Sequence, residues 1–259
     1  MFFDCSNLTK FNSDLRSLTN GNEMFSMCTN LKSFTTDLKS LTNGNNMFYY
    51  CEKLSEFNSD LSSLTNGYNM FSTCEALTKF TSDLSSLTSG GSMFQYCKNL
   101  SEFNSDLSSL ETCSHMFLMC PSLKTVECDL HSLKSGYQLL AYSGVESFTS
   151  DLRSLTNGMG MFLGCENLTS FNANLSSLEN GREMFHYAKL SSESVSNILH
   201  FIPQRDAKPT SSNNDGSGSI MLGIGISNTD AEKQAFAEKC YCASWQDLLN
   251  EFDAKNWDV

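Results

Sequence analysis

The sequence predicts a curved, right-handed α/β repeat solenoid over residues 1–190, because three features recur there with a nearly constant period. A Met-Phe pair opens each unit of about 23 residues, a Cys-x-x-Leu-x-x-Phe segment follows, and an Asn-Gly step closes many of the units. A single unit of this length cannot bury its own apolar side chains, so the units must stack as successive coils. The coils start at Met1, Met24, Met47, Met70, Met93, Met116, Leu139 and Met161, with the start of a ninth at Met184.

Each part of the unit predicts one element of the coil. Residues 8–12 and their equivalents predict a short strand, and residues 15–18 predict a second extended edge. The Met-Phe-x-x-Cys segment predicts a helical turn. The Asn-Gly step, as at Asn66 and Gly67, predicts the turn that closes the coil, because glycine adopts positive φ without steric cost and asparagine tolerates it.

The end of the chain differs in composition and predicts a C-terminal α/β cap. Residues 191–202 predict an amphipathic helix, and residues 203–219 a loop rich in Pro, Ser, Asn and Gly. Beyond the loop we expect a strand at 220–226, helices at 230–239 and 244–255 with Ser244 as N-cap, and a last edge at 257–259. We therefore assign residues 1–190 to the solenoid and 191–259 to a capping region, because an open solenoid end exposes its core.

The repeat unit resembles the BspA-like leucine-rich repeats of bacterial, protist and phage-associated surface proteins. The resemblance rests on the core Met-Phe-x-x-Cys-x-x-Leu-x-x-Phe, seen for example from Met47 to Phe57, and it covers residues 1–190. It implies a curved leucine-rich-repeat solenoid and a role as an adhesin or host-contact protein. The family often carries Ile-Pro after its strand, whereas this chain has Asp-Leu, so we expect the loop at that edge to differ.

Charge and hydropathy exclude two classes of partner. The net charge of −12 disfavours nucleic acids and anionic membranes, whose binding depends largely on Lys and Arg. The sequence contains no apolar stretch of about 18 residues that could span a bilayer. We expect an extracellular, cell-surface or virion-associated chain without a signal peptide of its own, forming part of a longer protein.

Cysteine forms a ladder with one residue in most coils. Because Ser143 fills the ladder position of coil 7, the position selects small buried side chains, and we predict free thiols there. Outside the ladder, two disulfides are alternatives to free thiols: one between Cys113 and Cys128, and one within the Cys240-x-Cys242 pair. A zinc site at Cys240 and Cys242 is a weaker alternative. The ladder comprises Cys5, Cys28, Cys51, Cys74, Cys97, Cys120 and Cys165.

An aspartate column follows the predicted strands. Stacked carboxylates about 5 Å apart repel each other, so each needs compensation. We predict that each accepts a backbone N–H bond in an Asx turn, and the alternative is calcium bridging adjacent coils. The column comprises Asp14, Asp37, Asp60, Asp83, Asp106, Asp129 and Asp151, and it ends in Asn174.

Positions that vary while the scaffold stays fixed are the candidate ligand-binding residues. The residue before each ladder cysteine is often Tyr or Met, and tyrosine is a common recognition residue because it offers area and a hydroxyl at low entropic cost. The alternative is that these rings only pack over the neighbouring turn. The candidates in this column are Met27, Tyr50, Tyr96, Met119, Tyr142 and Tyr187.

The strand face supplies a second candidate surface. Glu56, Lys79 and Glu102 share one column and alternate in sign, which cross-strand pairing also explains. Around them the face is Ser, Thr and Asn, which suits a sugar or a polar protein surface.

The sequence predicts a non-enzymatic binding or adhesion scaffold with no cofactor and no metal. Its four histidines, His115, His131, His186 and His200, occupy different repeat positions, so no catalytic constellation can be named. The expected partner is a protein or polysaccharide on a host or cell surface. The alternatives are an architectural or receptor-binding part of a phage tail or surface protein and, less favoured, a hydrolase.

Overall fold

The coils of the computed structural model, which describes residues 1–204, 230–240, 242 and 245–255, stack through short parallel strands. In the first sheet, Lys10 pairs with Ser33 and Ser33 with Glu56. Strands β1–β3, β4–β5 and β6–β7 form three small sheets, and each lies within the segment predicted to be extended. The strands are β1 (Lys10–Phe11), β2 (Ser33–Phe34), β3 (Glu56–Phe57), β4 (Lys79–Phe80), β5 (Glu102–Phe103), β6 (Ser147–Phe148) and β7 (Ser170–Phe171).

The second extended edge lies elsewhere than predicted. Residues 15–18 form a turn, closed by the N–H of Leu18 donating to the carbonyl of Leu15 at 2.8 Å. This turn brings two leucines three residues apart onto the core side, which an extended segment would not do. The second ladder consists instead of single parallel bridges, such as Asn20 with Asn43 and Asn43 with Asn66.

The Met-Phe-x-x-Cys segment is a series of turns and not the predicted helical turn. The N–H of Phe25 donates to Met47 in the next coil at 2.9 Å, whereas that of Cys28 returns to Phe25 at 3.1 Å. An α-helix pairs each N–H with the carbonyl four residues earlier, whereas here the N–H of Phe25 bonds to another coil and that of Cys28 to the carbonyl three residues earlier, so no α-helical turn forms. Positive φ occurs within these turns, at 53° for Glu23 and 63° for Met27.

The Asn-Gly step has a different physical role from the one predicted. None of the step glycines, such as Gly21, has positive φ. A Cβ on Gly21 would lie 2.6 Å from Sδ of Met47, so glycine is required there because the methionine that opens coil 3 approaches closely. The preceding Asn20 accepts the N–H of Asn22 through Oδ1 at 3.0 Å, which makes this step an Asx turn.

Two columns of phenylalanine rings fill the space between the turns and the strands. Phe25 stacks on Phe48 at 5.6 Å and contacts Phe34 edge-on at 5.4 Å, and the same pattern repeats along the stack. Aromatic pairs of this geometry add about 0.5–1.5 kcal/mol each beyond the area they bury. The columns are interrupted where Val126 and Leu140 replace phenylalanine, in the coils around the 22-residue spacing.

The ladder cysteines are buried, as predicted, apart from the half-buried Cys5 of the first coil. Each buried ladder thiol donates to a carbonyl in the preceding coil, as Cys51 does to Phe25 at 3.2 Å. All eleven cysteines are free thiols, so the Cys113–Cys128 and Cys240–Cys242 bonds are not formed. The thiol therefore links adjacent coils, which Ala could not do.

In the described part of the chain, three helices follow the coils: α1 (Ser192–Phe201), α2 (Asp230–Lys239) and α3 (Trp245–Ala254). All three were predicted. Helix α1 begins at its predicted N-terminus, where Ser191 accepts the N–H of Ser194. The predicted strand at 220–226, the final edge at 257–259, Ser244 and most of the predicted loop lie outside the described residues.

Helix α1 occupies the place of a further coil beside β7. The hydroxyl of Ser194 accepts the N–H of Phe171 at 2.8 Å and donates to the carbonyl of Thr169 at 3.0 Å. These bonds satisfy strand groups that would otherwise face water. Among the described residues, none of the helices combines the length and apolar character needed to cross a membrane.

Candidate binding surface

The turns between the closing step and the ladder cysteine form one continuous surface, here named the turn band. Most of its backbone N–H groups are bonded within and between coils, for example from Tyr50 to Ser72 at 2.9 Å. A partner must therefore be recognised mainly by side chains. The turn band comprises residues 22–27, 45–50, 68–73, 91–96, 114–119, 137–142, 159–164 and 182–187.

The predicted Tyr and Met column lies within the turn band. Its members are exposed except for the half-buried Met27, and all have positive φ. For residues with a Cβ this left-handed conformation costs about 1 kcal/mol or more, and Gly164 occupies the same position in coil 8 without that cost. The φ values are 63° for Met27, 59° for Tyr50, 61° for Tyr96, 58° for Met119, 55° for Tyr142 and 67° for Tyr187.

Tyr142 shows how a ring of this column lies on the surface. A Cβ on Gly164 would be 2.4 Å from Cδ1 of Tyr142, so the ring rests directly over the glycine of the next coil. The side chain nevertheless remains 46% exposed. The ring thus packs over the neighbouring turn, as the alternative interpretation of this column predicts, and is also accessible to a partner.

Sequence reasoning missed Tyr68, which belongs to the same surface. It is 47% exposed and lies over Gly91, where a Cβ would meet its Cδ2 at 3.0 Å. It follows the Asn-Gly step by one residue and so falls outside the column chosen from the sequence. The signal available was the pairing of an aromatic residue with a glycine one repeat later.

The central part of the turn band carries no charge. From residue 45 to residue 164 its six segments contain no Asp, Glu, Lys or Arg, in a chain of net charge −12. Charged residues bordering it include ion pairs between coils, Lys98 with Glu75 at 2.6 Å and Lys134 with Glu111 at 2.9 Å.

The strand face brings together only part of the second candidate group. Lys79 and Glu102 pair in register and form an exposed ion pair at 3.0 Å. Glu56 lies in β3, which pairs with β2 and not with β4, so it is outside that strand pair. Exposed ion pairs contribute little, about 0–1 kcal/mol.

The aspartate column forms the predicted Asx turns. The N–H of Ser62 donates to Asp60 at 2.9 Å, and the same bond recurs in every coil of the column. Hydrogen bonds from Ser62 lower the pKa of Asp60, and those from His131 lower that of Asp129. These two carboxylates are therefore ionised and already accept the hydrogen bonds of their Asx turns.

An open groove of about 730 Å³ lies beside this column, between coils 6 and 7. Asp129 pairs there with His131, and Asp151 pairs with Arg153. Its thiol, Cys128, is a poor nucleophile because burial raises its pKa to about 12. Two of the carboxylates that line the groove thus already have partners, Glu127 is exposed beside them, and the thiol is not activated.

The histidines lie apart from one another. Nε2 of His115 is 3.1 Å from Oε1 of Gln138, and the His186 ring stacks on Tyr187 at 3.9 Å. Within the described ranges, no three His, Cys, Asp or Glu side chains converge in a way that could hold a metal ion.

Comparison with known proteins shows similarity to leucine-rich-repeat proteins. A leucine rich cell surface protein of Faecalibacterium prausnitzii is 15% identical, with a TM-score of 0.33, over 77% of this chain and 65% of that one. A leucine-rich repeat protein of Eubacterium ventriosum is 15% identical, with a TM-score of 0.35, over 79% and 80%.

A leucine-rich repeat protein of Bacteroides ovatus is 16% identical, with a TM-score of 0.29, over 66% of this chain and 64% of that one. The chain thus spans slightly less than two thirds of the F. prausnitzii and B. ovatus structures. No curated protein matches the chain.

The model of the BspA-type leucine-rich repeat region matches in six copies, over residues 1–124 and 90–206. Together these matches cover all of the coils and include α1. The recurring Met-Phe-x-x-Cys unit, the stacked parallel strands and this match together show that the chain belongs to the BspA-type leucine-rich repeat family.

Proposed function

We propose that the protein is a non-enzymatic binding or adhesion scaffold on a cell surface, and that the turn band is its binding face. The observation that carries this proposal is the row of exposed Tyr and Met side chains on an uncharged part of an otherwise acidic molecule. Exposed aromatic side chains without charged neighbours are typical of recognition surfaces.

Two further points support the proposal. Membership of a leucine-rich-repeat family favours a binding scaffold over an enzyme. Tyr50, Tyr96 and Tyr142 also have positive φ, which is unfavourable for every residue with a Cβ. Backbone preference therefore does not explain why tyrosine occupies these positions. The alternative is an architectural role, in which the solenoid holds another domain away from a cell wall or virion.

The test is binding to an array of glycans and extracellular-matrix proteins. One variant replaces Tyr50, Tyr96 and Tyr142 with Asn, which tolerates positive φ. A matched variant replaces Glu56, Lys79 and Glu102 with Asn on the strand face. Relief of backbone strain offsets the packing that the tyrosine rings provide, so we expect melting temperatures within about 3 °C of wild type for both variants.

We expect the tyrosine variant to lose the array signal and the strand-face variant to retain it. Loss of the array signal in the strand-face variant alone would indicate that the strands form the binding face. Binding unaffected by either variant would refute both candidate surfaces, and an array without any bound ligand would favour the architectural role.

A further inference from the structure

We propose that the partner of the turn band is a neutral polysaccharide lying along the solenoid axis. This inference rests on the proposed function, because it takes the turn band as the binding face. It adds the chemical class of the ligand, which follows from charge, ring placement and periodicity.

The charge distribution excludes ionic recognition at this surface. The uncharged segments run over six successive coils, so they extend for about 24 Å at the usual spacing between strands. A cationic ligand would find no carboxylate within these segments, and an anionic one would find no Lys or Arg while meeting the field of a chain with net charge −12. A neutral ligand needs no charged partner and is not repelled by the net charge of the chain.

Two rings provide flat platforms of the kind that sugar rings stack on. Tyr68 lies over Gly91 and Tyr142 over Gly164, and both remain nearly half exposed. Because a glycine has no side chain, neither ring is covered by one at that point, and the close approach of Tyr142 leaves no room for a Cβ at Gly164. Aromatic faces attract the C–H groups of a sugar, which carry partial positive charge.

The side chains around these rings suit hydroxyl groups. Asn69, Ser114 and Gln138 lie in the turn band, each half-buried, and offer amide or hydroxyl groups. Because most of the backbone N–H groups are already bonded, polar contacts to a ligand come mainly from side chains such as these and from the tyrosine hydroxyls.

Periodicity favours a polymer over a folded protein. Positions of the turn band recur at each coil, and Tyr50 and Tyr96, two coils apart, are separated by about 10 Å. A polymer of similar units can satisfy such positions repeatedly, so weak contacts add through multivalency. A protein surface carries about 25% charged residues, and some of these would lose water against this band without gaining a partner.

The experiment is affinity electrophoresis of the whole chain in gels containing one polysaccharide each. The neutral probes are laminarin, mannan, dextran and xylan, and the charged probes are polygalacturonate and heparin. We expect retardation by at least one neutral probe. Its dissociation constant should change by less than about twofold between 50 and 500 mM NaCl, because screening acts only on charges.

Ring stacking is tested by Tyr68→Ser with Tyr142→Ser and by the matched pair Tyr68→Phe with Tyr142→Phe. The serine pair should weaken binding about tenfold or more, equivalent to about 1.4 kcal/mol. The phenylalanine pair keeps both rings and should stay within about threefold of wild type. The melting temperatures of both pairs check that the serine pair, which loses the packing of the rings, still folds.

Absence of retardation by every neutral probe, or retardation by charged probes alone, would overturn this inference. If array binding to a protein ligand were still lost in the Tyr50, Tyr96 and Tyr142 variant, the proposed function would stand and only the ligand class would be wrong. Equal weakening by the serine and phenylalanine pairs would also contradict ring stacking.

Discussion

Gly67 shows how one missing side chain sets the spacing between coils. Gly67 lies near the end of coil 3, and a Cβ at this position would lie 2.8 Å from Sδ of Met93, the fully buried residue that opens coil 5. In coil 5 the residue equivalent to Gly67 is Cys113, and the residue equivalent to Met93 is then the shorter, branched Leu139, which opens coil 7. The two positions therefore change together within this one chain.

This pairing predicts the effect of Gly67→Ala. The added methyl group has to displace Met93, so we expect a loss of about 1–3 kcal/mol in the free energy of unfolding, measured by urea denaturation. Gly136→Ala is the matched control, because its Cβ would come no closer than 3.4 Å to its neighbours. We expect the control to change stability by less than about 1 kcal/mol.

Adding Met93→Leu to Gly67→Ala should recover part of that loss, as the natural pair of Cys113 and Leu139 indicates. Equal effects of the two alanine substitutions, or no recovery with leucine, would contradict the close-approach explanation.

Asn-Gly was recognised from the sequence as a special position, but the reason was wrong. The Asn-Gly dipeptide alone does not show whether glycine is needed for positive φ or for close approach by another coil, because glycine suits both. The residues with positive φ, such as Tyr50 and Tyr96, carry no sequence signal for it, since aromatic residues rarely adopt that conformation.

At the level of elements, the buried thiols make the stability of the stacked coils depend on pH. Burial raises the pKa of Cys74 and Cys97 far above their ordinary value of 9.0, and it raises that of Cys120 to about 12. Ionisation is thus favoured in the unfolded chain. The stability that these thiols contribute is complete below about pH 9 and is lost as pH rises toward 12.

We therefore expect the free energy of unfolding to fall above pH 9, by up to about 1.4 kcal/mol per pH unit for each buried thiol. Chemical denaturation across pH 8–11 measures the slope. Replacing Cys74 and Cys97 with Ala should make the slope shallower, while exposed Tyr and Lys affect both proteins equally. An unchanged slope would mean that the ladder thiols ionise in the folded state.

Elements with a strong local signal could be predicted, and those defined by contacts between coils could not. Helix α1 follows from its amphipathic pattern and from Ser191, and the Asx turns follow from the aspartate column. The Met-Phe-x-x-Cys segment has an apolar spacing that suits a helical turn, which is why the sequence predicts one. Alternate N–H groups of this segment, such as those of Phe25 and Met27, bond to the next coil, and no local pattern reveals this.

At the level of the whole molecule, stacking turns a variable position into a continuous surface. Residues 23 positions apart become neighbours, so Tyr68 and Gly91 meet although they are distant in sequence. The repeat predicted a leucine-rich-repeat solenoid, and family membership confirms that class. Handedness and curvature stay predictions, as do the ligand and the site residues.

The central claim is that the turn band is the binding face, and a charge comparison tests it most directly. One variant carries Asn46→Glu, Asn69→Glu and Gln138→Glu, at positions where Glu23 and Glu183 already show that the fold accepts glutamate. The other carries Thr35→Glu, Thr81→Glu and Thr149→Glu beside the aspartate column, where Glu127 is the natural precedent. Both variants add the same net charge to the acidic chain.

The measurement is the dissociation constant of each variant for the ligand that wild type retains on the array or in the gels. We predict about tenfold or greater weakening for the turn-band variant and a change of less than about twofold for the other. Equal weakening of both would show that overall charge controls binding. Weakening of the aspartate-side variant alone would place the binding face on the opposite side of the coils and contradict the claim.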